Sequence, residues 1–158
     1  MTWNEQSVAN FWKHSEASFV ADTTASEIVR LSKRYIRGRT LDVGAGSGAL
    51  IDRIPKSVGI DLVSRHPMVI EGSVNDMPFE DGIFETVTAT DVIEHLPDDV
   101  LQKGMKEIYR VMKFGGNLII VAPYRESLEE SFVVCPNCQA RFHRVGHLRA
   151  IDEKYMVS

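Results

Sequence analysis

The chain has 158 residues, 44% of them hydrophobic and 25% charged, with a formal net charge of −4. That is apolar material for one globular core, and the acidic balance excludes a general nucleic-acid binder, which carries a strong basic excess. No apolar run approaches the roughly 18 residues of a membrane span and the N-terminus lacks the apolar centre of a signal peptide, so no membrane partner is expected and the expected compartment is cytoplasmic.

In chain order, residues 3–20 set Trp3, Val8, Phe11, Trp12 and Phe19 among polar residues, as an amphipathic helix or a docked lid does. The expected organisation is a helical lid over 1–23, a core domain over 24–124 and a tail over 125–158. Thr24-Ala25-Ser26-Glu27 has the S/T-x-x-E form of a capping box, and Ile28, Leu31 and Tyr35 follow at helical spacing. This predicts a helix over about 25–36, ended by Gly38. The apolar run Leu41-Asp42-Val43 then breaks into Gly44, Gly46 and Gly48, which reads as strand, tight turn and helix start. Glycines there let backbone approach a ligand closely while a helix start presents free N–H groups.

Ile51 and Ile54 continue that short helix until Pro55, and residues 57–61 read as a second buried strand ending in Asp61. A third strand is predicted around 68–70 and a fourth over 86–93, with Asp91 near its carboxyl end. Pro97, Asp98 and Asp99 open a helix that carries Leu101, Met105, Ile108 and Met112 on one face and ends at Gly115-Gly116. Residues 118–122 form the fifth strand, stopped by Pro123. Five strands with helices between most of them predict an α/β fold, a Rossmann-like, doubly wound, mainly parallel sheet covered on both faces.

Ligands of such sheets sit at the carboxyl ends of the strands, where the strand order reverses. The glycine turn, Asp61, Asp76 and Asp91 all fall there. Asp61, at the end of the second strand, is placed where a carboxylate accepts hydrogen bonds from both hydroxyls of a ribose.

The segments Leu41-Asp42-Val43-Gly44-Ala45-Gly46-Ser47-Gly48, Gly59-Ile60-Asp61, Asn75-Asp76-Met77-Pro78-Phe79, Thr90-Asp91-Val92-Ile93-Glu94-His95-Leu96 and Val111-Met112-Lys113-Phe114-Gly115-Gly116 together resemble a class I S-adenosylmethionine-dependent methyltransferase of the small-molecule, type 11-like kind. The resemblance covers about residues 25–123. It implies that Asp42, Gly44, Ala45, Gly46 and Gly48 hold the methionine end of S-adenosylmethionine, with Asp61 and its neighbour Leu62 at the ribose. Asp76 would meet the adenine amino group, Met77 would line the ring, and Asp91 would lie near the methionine. The implied reaction is in-line methyl transfer to an O, N or C nucleophile of a small-molecule acceptor. His95 is the candidate proton acceptor, although Glu94-His95 also reads as a structural turn.

A nicotinamide-dependent dehydrogenase is the competing enzyme reading, since Ala49 in place of a third glycine does not exclude it. The segments 76–79 and 94–96 favour methyl transfer. A non-catalytic scaffold that binds cofactor or zinc is the non-enzymatic alternative. No N-P-P-Y-type motif supports amino methylation of adenine or glutamine.

Cys135, Cys138, His143 and His147 give C-x2-C-x4-H-x3-H, four ligands suited to a closed, structural Zn²⁺ site. A redox pair and a pair of substrate-pocket histidines are the alternatives. Arg141, Arg144, Arg149 and Lys154 make this tail locally basic, which a solvated surface accounts for. The resembled family adds an antiparallel hairpin after the fifth strand and its helix, whereas Ile151–Ser158 reaches only the start of that helix. Either the chain is shortened, or the open edge of the fifth strand is covered by the tail or by a second copy in a homodimer.

Overall fold

A computed structural model describes residues 4–14 and 22–157, without the side chains of Asp22, Thr23 and Val157; Trp3 and Phe19 of the expected lid lie outside the described residues. Strands β1 (Thr40–Val43), β2 (Ser57–Asp61), β3 (Val69–Glu71), β4 (Phe84–Thr90) and β5 (Met112–Val121) form one sheet in the order β3-β2-β1-β4-β5, with every neighbouring pair parallel. The chain runs outward from β1 through β2 to β3 and then returns to the other side of β1. The order therefore reverses between β1 and β4, which opens a crevice at their carboxyl ends.

The second strand has its predicted limits; the others differ. β5 begins at Met112 because the chain leaves helix α3 (Asp98–Val111) straight into extended backbone. The register jumps from Phe84 opposite Met112 to Thr86 opposite Asn117, and Gly115 has φ 71°. Gly115-Gly116 thus absorbs a bulge within the strand and does not end the helix.

Helix α3 buries Val100, Gly104, Ile108 and Val111, so its inner face is turned by one residue from the predicted Leu101, Met105, Ile108 and Met112. The small Gly104 sets the rotation, since a Cβ there would lie 2.9 Å from Val74 Cγ2. Helix α2 (Asp22–Ser32) starts before the predicted capping box, which leaves Glu27 inside the helix, paired with Arg30 at 2.7 Å. It buries Ala25, Ile28 and Ser32, while Leu31 and Tyr35 face solvent. The predicted helix after the glycine turn is a stack of turns, because the Ser57 hydroxyl bonds the carbonyls of Ile51 and Ile54 and closes the segment early. Among the described residues α3 is the one α-helix between strands of this sheet, accompanied only by a 3-10 turn at Ile93–His95, against the expectation of helices between most of them.

One core cluster joins Leu41, Val43, Ile60, Phe84, Val87 and Ala89 of the sheet to Ile108 and Val111 of α3. A second joins Ala25 and Ile28 of α2 to Ala49, Leu50 and Ile54. The alternate residues Thr86, Thr88 and Thr90 are also buried. Thr86 accepts from the Arg37 backbone N–H at 2.9 Å and donates to its carbonyl at 2.8 Å, so burying this hydroxyl costs little.

Helix α1 (Glu5–His14) precedes this frame. After β5 come a 3-10 turn (Leu128–Ser131), an antiparallel hairpin of β6 (Phe132–Val134) and β7 (Arg141–His143), and helix α4 (Glu153–Val157). Tyr124 forms a single parallel bridge with Ile151, so the tail covers the sheet edge just beyond β5, while β5 itself pairs only with β4 among the described residues. No helix of the described residues is long and apolar enough to cross a membrane.

Candidate functional site

The crevice between β1 and β4 is a cavity of about 570 Å³. Its floor is backbone. Gly44 and Ala45 donate their N–H groups to the Ile60 carbonyl at 2.8 and 3.2 Å, which pins the glycine loop to the end of β2. Gly44 has φ 69°, and a Cβ there would fall 2.3 Å from Val92 Cγ2, so only glycine fits between β1 and the turn after β4.

Asp61 fastens the loop from the side. Its Oδ2 accepts from Gly46 N–H at 2.9 Å and its Oδ1 from Val63 N–H at 3.0 Å, which leaves one acceptor direction on each oxygen for a ligand. Asp42 is buried beneath the loop and accepts from the Thr88 hydroxyl at 2.6 Å. Burial pushes its carboxyl up from 3.8 to about 7, an effect the Thr88 hydrogen bond opposes and the Asp61 charge assists.

Of the candidate site residues, Asp42, Gly44, Ala45, Gly46, Asp61, Leu62, Asp91 and His95 line the cavity. Gly48, Asp76 and Met77 do not. Gly48 turns toward the His66 ring. Met77 is a core residue, 3% exposed, because its backbone N–H donates to Glu107 at 2.8 Å and its carbonyl accepts from Arg110, which ties this turn to α3. The adjoining residues Gly72, Ser73 and Val74 line the cavity in place of Asp76 and Met77. A reading of strand ends alone misses this shift, since the loop has no helical or strand period to count from.

The cavity's outer part is largely apolar. Val8 and Trp12, one turn apart on α1, meet Leu96, Val100, Pro123 and Val145. Glu5 accepts from the Ser73 hydroxyl and Arg65 donates to the Trp12 carbonyl, so polar contacts hold α1 beside the cavity.

The turn after β4 carries the titratable groups. Asp91, with φ 52°, has its carboxyl raised by burial, opposed by the charge of His147. Glu94 is 1% exposed with neither carboxylate oxygen hydrogen-bonded, and burial pushes it up to about 7. His95 is pushed down to about 4, first by burial and then by the neighbouring His147. It is therefore a neutral ring at physiological pH.

The tail folds back onto this turn: the Leu148 N–H donates to the Glu94 carbonyl at 2.8 Å and the Arg149 guanidinium to the Leu96 carbonyl. His147 is brought to 4.7 Å from the His95 ring and stacks on His143 at 4.6 Å. The predicted zinc set of Cys135, Cys138, His143 and His147 is not assembled. Two groups among the described residues bring three metal-competent side chains within 4.8 Å, namely Glu94, His95, His147 and Glu126, His143, His147. Neither contains a cysteine. The hairpin register explains this: Val134 opposite Arg141 puts both cysteines at its tip, while Phe132 opposite His143 puts the histidine at its base. Glu126 carries no sequence signal, since only the fold-back brings it to the histidines.

Residues 41–120 match the family described as "Methyltransferase domain". The chain is 35% identical over 100 residues to demethylmenaquinone methyltransferase of Chlorobaculum tepidum, covering 54% of this chain and 40% of that protein. It is 30% identical over 103 residues to a chloroplastic 2-methyl-6-phytyl-1,4-hydroquinone methyltransferase of Oryza sativa subsp. japonica, covering 54% of this chain and 29% of the relative. The chain thus spans less than half the length of these two relatives. Among solved structures, an S-adenosylmethionine-dependent methyltransferase from Archaeoglobus fulgidus has the same fold, with a TM-score of 0.69 at 19% identity over 87% of this chain and 66% of that one.

Proposed function

Since the chain belongs to the methyltransferase-domain family, we propose that it binds S-adenosylmethionine in this cavity and passes the methyl group to an apolar, ring-bearing small molecule. The observation that carries this reading is the continuity of one cavity. A cradle of backbone and Asp61 at one end runs into an apolar mouth lined by Trp12, Val145 and His95 at the other.

In this reading the free acceptor directions on Asp61 take the two ribose hydroxyls, and the adenine lies against Leu62, Ser73 and Val74. The glycine loop and Asp42 hold the methionine end. Asp42 must ionise to hold an ammonium group, so binding releases its proton. Asp91 lies beside the methionine.

The acceptor enters between the α1 lid and the tail. The names of the two curated relatives specify quinone-type rings as acceptors, and the mouth here is apolar enough for such a ring. In the transfer the acceptor's electron pair forms the new bond to carbon while the carbon–sulfur bond breaks. Sulfur leaves with the electron pair of the broken carbon–sulfur bond as a neutral thioether, and the acceptor's proton passes to solvent at the cavity mouth. Positioning and exclusion of water supply most of the acceleration, with the reacting atoms about 3 to 3.5 Å apart. Neutral His95 receives the hydrogen bond of the acceptor's hydroxyl; so weak a base orients that proton more than it stores it.

Calorimetric titration with S-adenosylmethionine, S-adenosylhomocysteine and NAD tests the reading. The first two should bind with one site per chain and NAD should not. Absence of binding by both sulfur cofactors overturns it. Turnover on a panel of hydroquinones then tests the acceptor class, and binding without turnover on any acceptor would favour a scaffold.

A further inference from the structure

Two histidines that line the cavity, two glutamates and one carbonyl come together where the tail folds back on the turn after β4. His147 places Nδ1 against Glu126 Oε2, so this nitrogen carries the proton and donates it. In the neutral ring, the form a metal ion binds on displacing a proton, its Nε2 offers a lone pair 4.0 Å from Glu94 Oε1. His95 places Nδ1 3.3 Å from the Gly146 carbonyl, which can only accept, so its Nε2 also has a lone pair. Glu94 is 1% exposed and its two oxygens have no hydrogen-bond partner. A buried carboxylate with no donor is costly unless a proton or a cation joins it. The ligand atoms of Glu94, His95 and His147 lie within 4.8 Å of one another.

We propose that Glu94, His95 and His147 bind one divalent transition-metal ion through a carboxylate oxygen and two imidazole nitrogens. The outer partners match what metal-bound histidines need. Glu126 fixes the His147 tautomer as a carboxylate does behind a metal-bound imidazole, and the Gly146 carbonyl does the same for His95. His143 belongs to this outer layer. Its Nδ1 accepts the His147 backbone N–H at 3.1 Å, so its Nε2 bears hydrogen and faces Glu126 Oε1 at 3.3 Å. His143 therefore lies beside Glu126 without a hydrogen bond to it and offers no lone pair to the ion.

Two nitrogens and a carboxylate suit zinc, iron(II), cobalt(II) or manganese(II), and a three-ligand site keeps positions open. His95 and His147 both line the cavity, so those positions face it. With the ion bound, the His95 lone pair is committed to it, and an acceptor hydroxyl would meet the ion instead. That last consequence rests on the methyl-transfer reading; metal binding itself does not.

The test uses the full chain, stripped with a chelator and titrated with cobalt(II) and with zinc(II). One equivalent should bind, and the cobalt form should show visible d–d bands without a thiolate-to-metal charge-transfer band. The same spectrum should persist in the C135S/C138S double variant. Glu94→Gln should abolish binding, and Glu126→Gln should weaken it by about 10- to 100-fold, the usual effect of losing an outer partner. Circular dichroism checks that both variants are folded; should Glu94→Gln not fold, Glu126→Gln and the double variant still decide. No stoichiometric ion, unchanged affinity in Glu126→Gln, or a charge-transfer band that vanishes with the cysteines would overturn the assignment. Titration of the same preparation with S-adenosylhomocysteine keeps a failed metal site distinct from a failed cofactor site.

Discussion

The floor of the cavity and its cover are built on opposite principles. The floor, from β1 through the glycine loop to Asp61, lies within about twenty residues of chain, and its loop N–H groups and the Asp61 carboxylate have partners within that stretch. The cover draws Trp12, Glu94, Glu126 and His147 from four distant segments and leaves both Glu94 oxygens without hydrogen bonds. A satisfied local floor is a rigid binding surface, whereas an unsatisfied long-range cover is arranged for something that arrives.

The sharpest way to break the floor is Gly44→Val. Positive φ and a Cβ 2.3 Å from Val92 Cγ2 act together, and backbone strain plus overpacking should cost about 2 to 6 kcal/mol in a denaturant titration. A loss below about 1 kcal/mol would mean that the loop relaxes freely.

Asp42 offers a second test through pH. Its native carboxyl keeps its proton up to about 7, against 3.8 ordinarily, so folding takes up a proton between these values. Stability from this group is full below about pH 4 and declines as pH rises toward 7, by up to about 4 kcal/mol at 1.36 kcal/mol per unit. Asp42→Asn should flatten that slope in thermal melts and be more stable than the parent at pH 8. For the parent, affinity for S-adenosylmethionine should fall up to about tenfold per pH unit below 7, and a flat profile would remove Asp42 from the ammonium.

Asp61→Ala should weaken cofactor binding by about 1.5 to 3 kcal/mol, through the lost charged hydrogen bonds to ribose. Unchanged affinity would put the ribose elsewhere.

On the cover, Arg149→Ala removes its bonds to Asp98 at 2.9 Å, to the Tyr155 hydroxyl at 2.6 Å and to the Leu96 carbonyl. The expected cost is about 1 to 2 kcal/mol of stability. Faster hydrogen exchange in 143–151 than in β1 would show that the cover opens without the floor. Cys138→Ser is the smallest change, within about 0.5 kcal/mol, since this cysteine is exposed at the hairpin tip, away from the histidines. A larger loss on metal-free protein would restore a role for the cysteine pair.

Much of the floor was readable from residue order. Gly44 to Asp61 announces itself because strand, positive-φ turn and acid follow at fixed short spacing, and backbone geometry enforces that spacing whatever lies around it. Periodicity also located α3, but not its rotation, which Gly104 decides by its approach to Val74. Met77 stays off the cavity lining for a similar reason: Arg110 and Glu107, on a helix thirty residues later, hold its backbone and turn the residue into the core.

The tail marks the boundary most clearly. The spacing of Cys135, Cys138, His143 and His147 is compatible with zinc, yet an antiparallel hairpin separates cysteines at its tip from a histidine at its base. The sequence by itself determined the sheet, the glycine turn and the acid at the end of the second strand, because these follow from local backbone rules. Only the tertiary structure decided which histidines meet which carboxylates, because side chains far apart in sequence come within bonding range only after the chain has folded back.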